Sequence, residues 1–172
     1  MPVRRILQLG DPMLRQASQP VTSFGEAAGV IADLRDTLHE FRRTHGFGRG
    51  ISAVQIGAPL RIVYAELEGV RLSILNPVLE SMSEERIRLW DDCFSFPDLL
   101  VQVERSASVA LRYLDPGGVA DPLRASDALS ELLQHEMDHL DGILAIDRAM
   151  DRNSFRTKAE HARQKAVSLL RI

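Results

Sequence analysis

Gln134-His135-Glu136-Met137-Asp138-His139-Leu140-Asp141-Gly142 closes a segment with helical periodicity. Positions i and i+4 share one face of a helix, so His135 and His139 aim two imidazoles at one point, with Glu136 beside them. That is the arrangement of a metal site with an adjacent carboxylate base. The plain alternative is two helical histidines, packed or solvated, with nothing between them; this spacing is uncommon by chance. Leu129, Leu132, Leu133, Met137 and Leu140 form a wide apolar stripe with the histidines at its edge, so the helix is expected to be central and mostly buried. Buried polar groups without partners are costly, and a metal supplies these with one. Ser126 is expected to cap this helix, Asp127 to lie in its first turn and Gly142 to end it.

On either side the pattern changes. Ala107, Val109, Leu111 and Tyr113 alternate with Ser108, Ala110 and Arg112, a half-buried strand. Asp115-Pro116-Gly117-Gly118 then turns the chain, and Val119 to Ala125 returns as a strand. Arg61 to Leu67 and Arg71 to Leu75 read as a hairpin about Glu68-Gly69-Val70, with Asn76-Pro77 breaking the second run. Val78 to Met82 and Glu85 to Trp90 are expected to pair with each other. Ser23-Phe24-Gly25-Glu26 fits a capping box, and Ala27, Ile31, Leu34, Leu38 and Phe41 follow at helical spacing. This predicts a helix from about Phe24 to Thr44, ending before Gly46. Gly10-Asp11-Pro12 is a turn signal, with a short helical turn over Met13 to Ala17. A last helix is expected over Ser154 to Leu170. His39, His45 and His161 read as solvated surface groups. Gly46-Phe47-Gly48-Arg49-Gly50 has no following Lys-Ser/Thr pair and is not a phosphate loop; its glycines let the backbone approach something closely. The sum is an α+β chain: mostly antiparallel sheets around a central helix carrying His-Glu-x-x-His, with a C-terminal helix.

The 172 residues suit one domain, taken as residues 1–172. A net charge of −3 gives no reason to expect nucleic acid as a partner. The single cysteine, Cys93, excludes an internal disulfide framework. Met1 to Pro12 carries only a short apolar run and is not expected to be a signal peptide, and no segment approaches membrane-spanning length. The expectation is a cytoplasmic protein without a membrane partner.

A lone cysteine is more often a small buried hydrophobe than a ligand. Beside this helix, Cys93 completes two imidazoles and a thiolate, leaving a fourth tetrahedral position free, as in catalytic sites. Here the chain resembles the peptide deformylases, through three motifs in order. Gly48, Gly50, Ile51, Ala53 and Gln55 match Gly-x-Gly-apolar-Ala-Ala-x-Gln. Asp91, Cys93 and Ser95 match Glu-Gly-Cys-Leu-Ser in part. Gln134 to Leu140 matches Gln-His-Glu-x-Asp-His-Leu in full, and Gly10-Asp11-Pro12-Met13-Leu14-Arg15 also looks like the family's opening. The resemblance implies one divalent transition metal, Fe²⁺ first with Zn²⁺ or Ni²⁺ as substitutes, held by Cys93, His135 and His139. It implies removal of the formyl group from N-formylmethionyl peptides or nascent chains, with the ribosome a partner to consider.

The chemistry follows from the residue types. A metal with these ligands lowers the pKa of water near it. Glu136 is placed to accept that proton and pass it to the leaving amine. The resemblance adds the Gln55 side chain and the Phe94 backbone N–H as oxyanion donors; otherwise Gln55 is a surface amide after a glycine loop. Arg49, Gly50, Ile51 and Asp92 are expected at the substrate. Departures from the family pattern cluster there: Arg49 stands where an apolar residue is usual, Ser52 replaces alanine, and Asp91, Asp92 and Phe94 replace glutamate, glycine and leucine. Arg105 is expected to pair with Asp91, and Arg49 to meet Asp92 across the cleft. Alternatives are a divergent paralogue acting on another N-acyl group, a metal-stabilised binding protein, or a general metalloprotease. The last leaves the cysteine and glycine–glutamine motifs unexplained.

Overall fold

In the computed structural model, which describes residues 3–169, the expected first helix spans Phe24–His45 (α1). Ala27, Leu34, Leu38 and Phe41 turn one buried face to the sheet. The helix stops where Gly46 adopts a left-handed conformation (φ 76°), its N–H bonding the Arg42 carbonyl at 2.9 Å. Ser23 stands at the N-cap, but its hydroxyl makes no capping bond, so the expected capping box does not form.

The strands are β1 Gly50–Ser52, β2 Ile62–Leu67, β3 Val70–Met82, β4 Arg86–Asp92, β5 Leu99–Ser106, β6 Ser108–Leu114, β7 Ala120–Ser126 and β8 Phe155–Thr157. Short 3₁₀ turns cover Pro12–Arg15, Ala53–Ile56 and Ala145–Arg148. A five-stranded antiparallel sheet runs β1-β2-β3-β6-β7, and a three-stranded one runs β4-β5-β8. The hairpin at Glu68-Gly69 forms as expected. Asn76-Pro77 does not break the second strand. Asn76 takes a positive φ of 49° and makes a bulge, and its amide clamps Val21 through both Oδ1 (2.8 Å) and Nδ2 (2.9 Å). Val78 to Met82 therefore continues β3 and pairs with β6, not with Arg86–Asp92. The partner of β4 is β5, a strand that the sequence reading left out.

The metal-type motif lies on α2, Asp127–Leu140. This helix packs on β1, β2, β6 and β7 of the large sheet and on β5 of the small one. Leu133 and Leu140 are fully buried with Val63, Ile74 and Leu111, each such leucine contributing about 2 kcal/mol. Ser126 occupies the N-cap without a side-chain bond, another expected cap that does not form. After α2, Phe155–Thr157 joins β5 as an edge strand, so the last helix (α3) is Lys158–Leu169 rather than starting at Ser154. The expected end at Leu170 lies outside the described residues. Among the described residues no helix is long and apolar enough to cross a membrane. His39 and His45 are exposed but engaged: His39 lies 3.0 Å from Glu66, and His45 stacks on Phe41. His161 packs against Trp90.

Candidate metal centre

Cys93 follows β4 at the end of the small sheet, and α2 brings His135 and His139 to it from the other side. The three are buried, and one ligand atom from each lies within 4.8 Å of the others. Cys93 Sγ is 3.2 Å from His139 Nε2, and the two imidazole centroids are 4.9 Å apart. Among the described residues this is the one group of three metal-capable side chains that converges.

Their surroundings fix their roles. His135 Nδ1 lies 3.0 Å from Asp91 Oδ2 and donates to it, which fixes the ring and makes Nε2 the nitrogen available to a metal. Asp91 also accepts from Arg105 at 2.8 Å, the pair that the sequence anticipated. Arg105 reaches on to Asp138 at 3.0 Å, and Arg148 holds the other oxygen of Asp138 at 2.7 Å. Burial works to raise the Asp91 pKa, but His135 and Arg105 overcome it and hold the carboxyl well below its usual range. Burial likewise works to depress His135, but the Asp91 charge and hydrogen bond raise it. Burial and the charge of His135 push His139 down, keeping that ring neutral and its lone pair available. Nitrogen, nitrogen and sulfur in a buried pocket suit Fe²⁺, Zn²⁺ or Ni²⁺ and disfavour Mg²⁺ and Ca²⁺.

Glu136 sits beside these groups, buried, with its Oε2 accepting from the Ser52 hydroxyl at 2.6 Å. Burial raises its pKa, while the positive charge at His135 and the Ser52 bond pull the other way. Ser52, read along the chain only as a small change from alanine, thus holds the buried carboxylate. Gly50 explains how β1 comes so close: a Cβ there would stand 2.8 Å from Glu136 Oε1 and 3.0 Å from Leu132 Cδ1. Gln55, in the 3₁₀ turn after β1, accepts the Ser52 N–H on Oε1 at 2.9 Å. An N–H can only donate, so the Gln55 amide is oriented with Nε2 toward Cys93 Sγ (3.6 Å) and Ser95 Oγ (3.3 Å). The Phe94 ring stacks on Phe41 at 3.8 Å and anchors the cysteine loop. Its backbone N–H enters no hydrogen bond among the described residues.

Gly48, Arg49, Gly50, Gln55, Asp92, Phe94 and Glu136 line one cavity with Cys93 and His135. Two expectations fail there. Arg49 does not meet Asp92: its Nη1 pairs with Glu131 Oε1 at 2.5 Å, while Asp92 pairs with Lys158 at 3.3 Å. Glu131 lies one turn before His135 on the same helix face, within reach of the Arg49 guanidinium. Ile51 is fully buried in the core against α1, so its side chain does not line the cavity. Glu131, Ser52 and Lys158 are the site residues that the sequence reading missed. The i, i+4 relation of Glu131 to His135 was the one available signal.

An α+β fold whose central helix carries His-Glu-x-x-His beside a buried cysteine is the architecture of a metal-dependent hydrolase. The polypeptide deformylase family model matches residues 3–155. A peptide deformylase of Bartonella tribocorum is 37% identical, over 86% of this chain and 84% of its own. One from Rhizorhabdus wittichii is 36% identical over 95% of this chain and 97% of its own. Among solved structures, the Thermotoga maritima peptide deformylase superposes with a TM-score of 0.83 at 28% identity, covering 88% of this chain and all of that one. The Synechococcus elongatus enzyme, in complex with actinonin, gives 0.83 at 30% identity over 90% of this chain and 82% of its own. The chain belongs to the polypeptide deformylase family.

Proposed function

We propose that this deformylase removes the formyl group from N-formylmethionyl ends of newly made chains, in the cytoplasm and near the ribosome, with the residues of the cavity in the following roles. Cys93, His135 and His139 hold one divalent transition ion, Fe²⁺ by preference; its chemistry is that of a Lewis acid that polarises the formyl carbonyl and makes water nucleophilic near neutral pH. Glu136 takes the proton of the attacking water on its carboxylate and returns it to the leaving amine nitrogen. Its raised pKa suits both halves of that transfer. Gln55 Nε2 and the Phe94 N–H direct donors at the formyl oxygen as it gains charge. Asp91, braced by Arg105, fixes the tautomer and ring orientation of His135. Arg49, Gly50 and Asp92 line the space where the rest of the substrate lies.

The observation that supports this reading is the convergence of Cys93, His135 and His139 beside a small cavity that Cys93 and His135 line together with Glu136 and Gln55. Formate release from a formyl-Met peptide by anaerobically handled protein tests it. Glu136→Gln is expected to keep about one metal per chain while activity falls by at least roughly 10²-fold. Equal activity in that variant would show that another group moves the proton.

A further inference from the structure

Asp91 and Asp92 are consecutive residues at the end of β4, so their side chains leave opposite faces of the strand. Asp91 points inward and is held by His135 and Arg105. Asp92 stands at the rim, its side chain 34% exposed, and also lines the central cavity with Cys93 and His135. Among the described residues one cation holds its carboxylate: Lys158, with Nζ 3.3 Å from Oδ2.

Lys158 is itself pinned from two sides. It opens α3, its backbone N–H bonds the Asp98 carbonyl at 2.9 Å, and its ammonium sits 2.8 Å from the centre of the Phe47 ring. Phe47 belongs to the glycine loop and packs edge-on against Phe41 and Phe94. The ammonium is thus fixed between the glycine loop and the cysteine loop, and it does not itself line the cavity. Lys158 lies beyond residue 155, where the family match ends, and its partner Asp92 stands where the family motif has glycine.

An acid in that position carries a hazard. Carboxylate oxygen binds the same ions as imidazole and thiolate do. The Asp92 Cα is one residue, about 3.8 Å, from that of Cys93. An untethered carboxylate there is an intramolecular competitor at high effective concentration. The cationic centre and the Arg49 guanidinium, which lines the same cavity, both attract it. Seated at the open fourth position, it would exclude the formyl group.

We propose that Lys158 is a positioning residue that holds the Asp92 carboxylate at the rim and so keeps the metal centre open to formyl-Met substrates. This rests on the deformylase reading of the site. The test is a double-mutant cycle on metal-loaded protein: wild type, Lys158→Met, Asp92→Gly and the two changes together. Kd for formate, the product anion, is titrated by calorimetry, and KM and kcat are measured on a formyl-Met peptide. A competitor that fills the centre part of the time weakens binding in proportion to the fraction left open. Lys158→Met is therefore expected to raise formate Kd and peptide KM by a common factor of at least roughly ten, with kcat changed less than about twofold. On the Asp92→Gly background the same substitution is expected to change Kd and KM by less than about twofold. The ion pair is partly exposed, so the fold should survive its loss, which melting of each variant checks. Unchanged Kd and KM in Lys158→Met overturn the proposal. So does an equal rise on both backgrounds, or a fall in kcat alone, since either makes Lys158 a purely structural contact. If wild type releases no formate from formyl-Met peptides, the deformylase reading fails, and the formate titrations still decide the role of Lys158.

Discussion

Arg105→Met removes the central cation of the chain His135–Asp91–Arg105–Asp138–Arg148 while keeping the apolar stem. The Arg105 side chain is 4% exposed and spans two carboxylates, Asp91 at 2.8 Å and Asp138 at 3.0 Å. Taking one partner from a buried ion pair costs about 3–5 kcal/mol, because the remaining charge stays desolvated. Both carboxylates keep a second partner here, His135 for Asp91 and Arg148 for Asp138, which places the loss at the lower end, about 3 kcal/mol. For a chain of this size that lowers Tm by about 6–12 °C. Asp91 also loses the group that aims it at His135, so metal affinity is expected to fall about 10–100-fold. Bound metal raises Tm by mass action, so melting is followed both in excess metal and after chelation, with metal affinity titrated separately. If Arg105 braces the fold, the Tm loss persists in chelated protein. A drop confined to the metal-loaded form would place Arg105 in the metal site alone. Unchanged Tm and affinity would refute the brace altogether.

Three further outcomes are expected. Cys93→Ala should lower bound metal from about one ion per chain to a small fraction by elemental analysis, and an unchanged content would remove Cys93 from the ligand set. Gly50→Ala places a methyl group 2.8 Å from Glu136 Oε1; the clash is with side-chain ends, so the fold should survive while kcat falls by about 10²-fold, and an unaltered kcat would free β1 of that constraint. Burial works to raise Glu66, but bonds from Tyr64, His39 and Arg42 hold it at about 2 against an ordinary 4.5. Its stabilisation is therefore present above pH 4.5 and lost as pH falls toward 2; with exposed partners it is worth about 1–2 kcal/mol. Glu66→Gln should be less stable than wild type at pH 6 and equal to it near pH 2, and a gap that persists in acid would contradict this.

Much of this was legible in the chain. The helices show because their apolar spacing is local, and the meeting of His135 and His139 because the i, i+4 spacing puts both imidazoles on one helix face. Strand partners are not local. Val78 to Met82 reads equally well beside β4 or β6, and only the bulge at Asn76 sends it to β6. The break expected at Asn76-Pro77 does not occur, because Asn76 is clamped to Val21 at positive φ and its bulge carries the strand past Pro77. Charge partners were hidden for a similar reason. Arg49 and Asp92 have opposite signs and flank one cavity, yet Glu131 and Lys158 lie closer to each, and no pattern along the chain measures that.

The small sheet has a consequence for where this chain can be cut. The family match ends at residue 155, the first residue of β8. Through Phe155, Arg156 and Thr157 this strand covers one side of β5, and the Lys158 N–H adds a bond to the Asp98 carbonyl at 2.9 Å. A fragment trimmed to the match would leave Leu99, Leu100 and Val101 as an open ladder of apolar, unpaired backbone just beyond the cysteine loop. Such a rail recruits strands from neighbouring molecules. Shortened forms that stop before Thr157 would then aggregate through β5, and the deposit would carry the Cys93 loop into its interface.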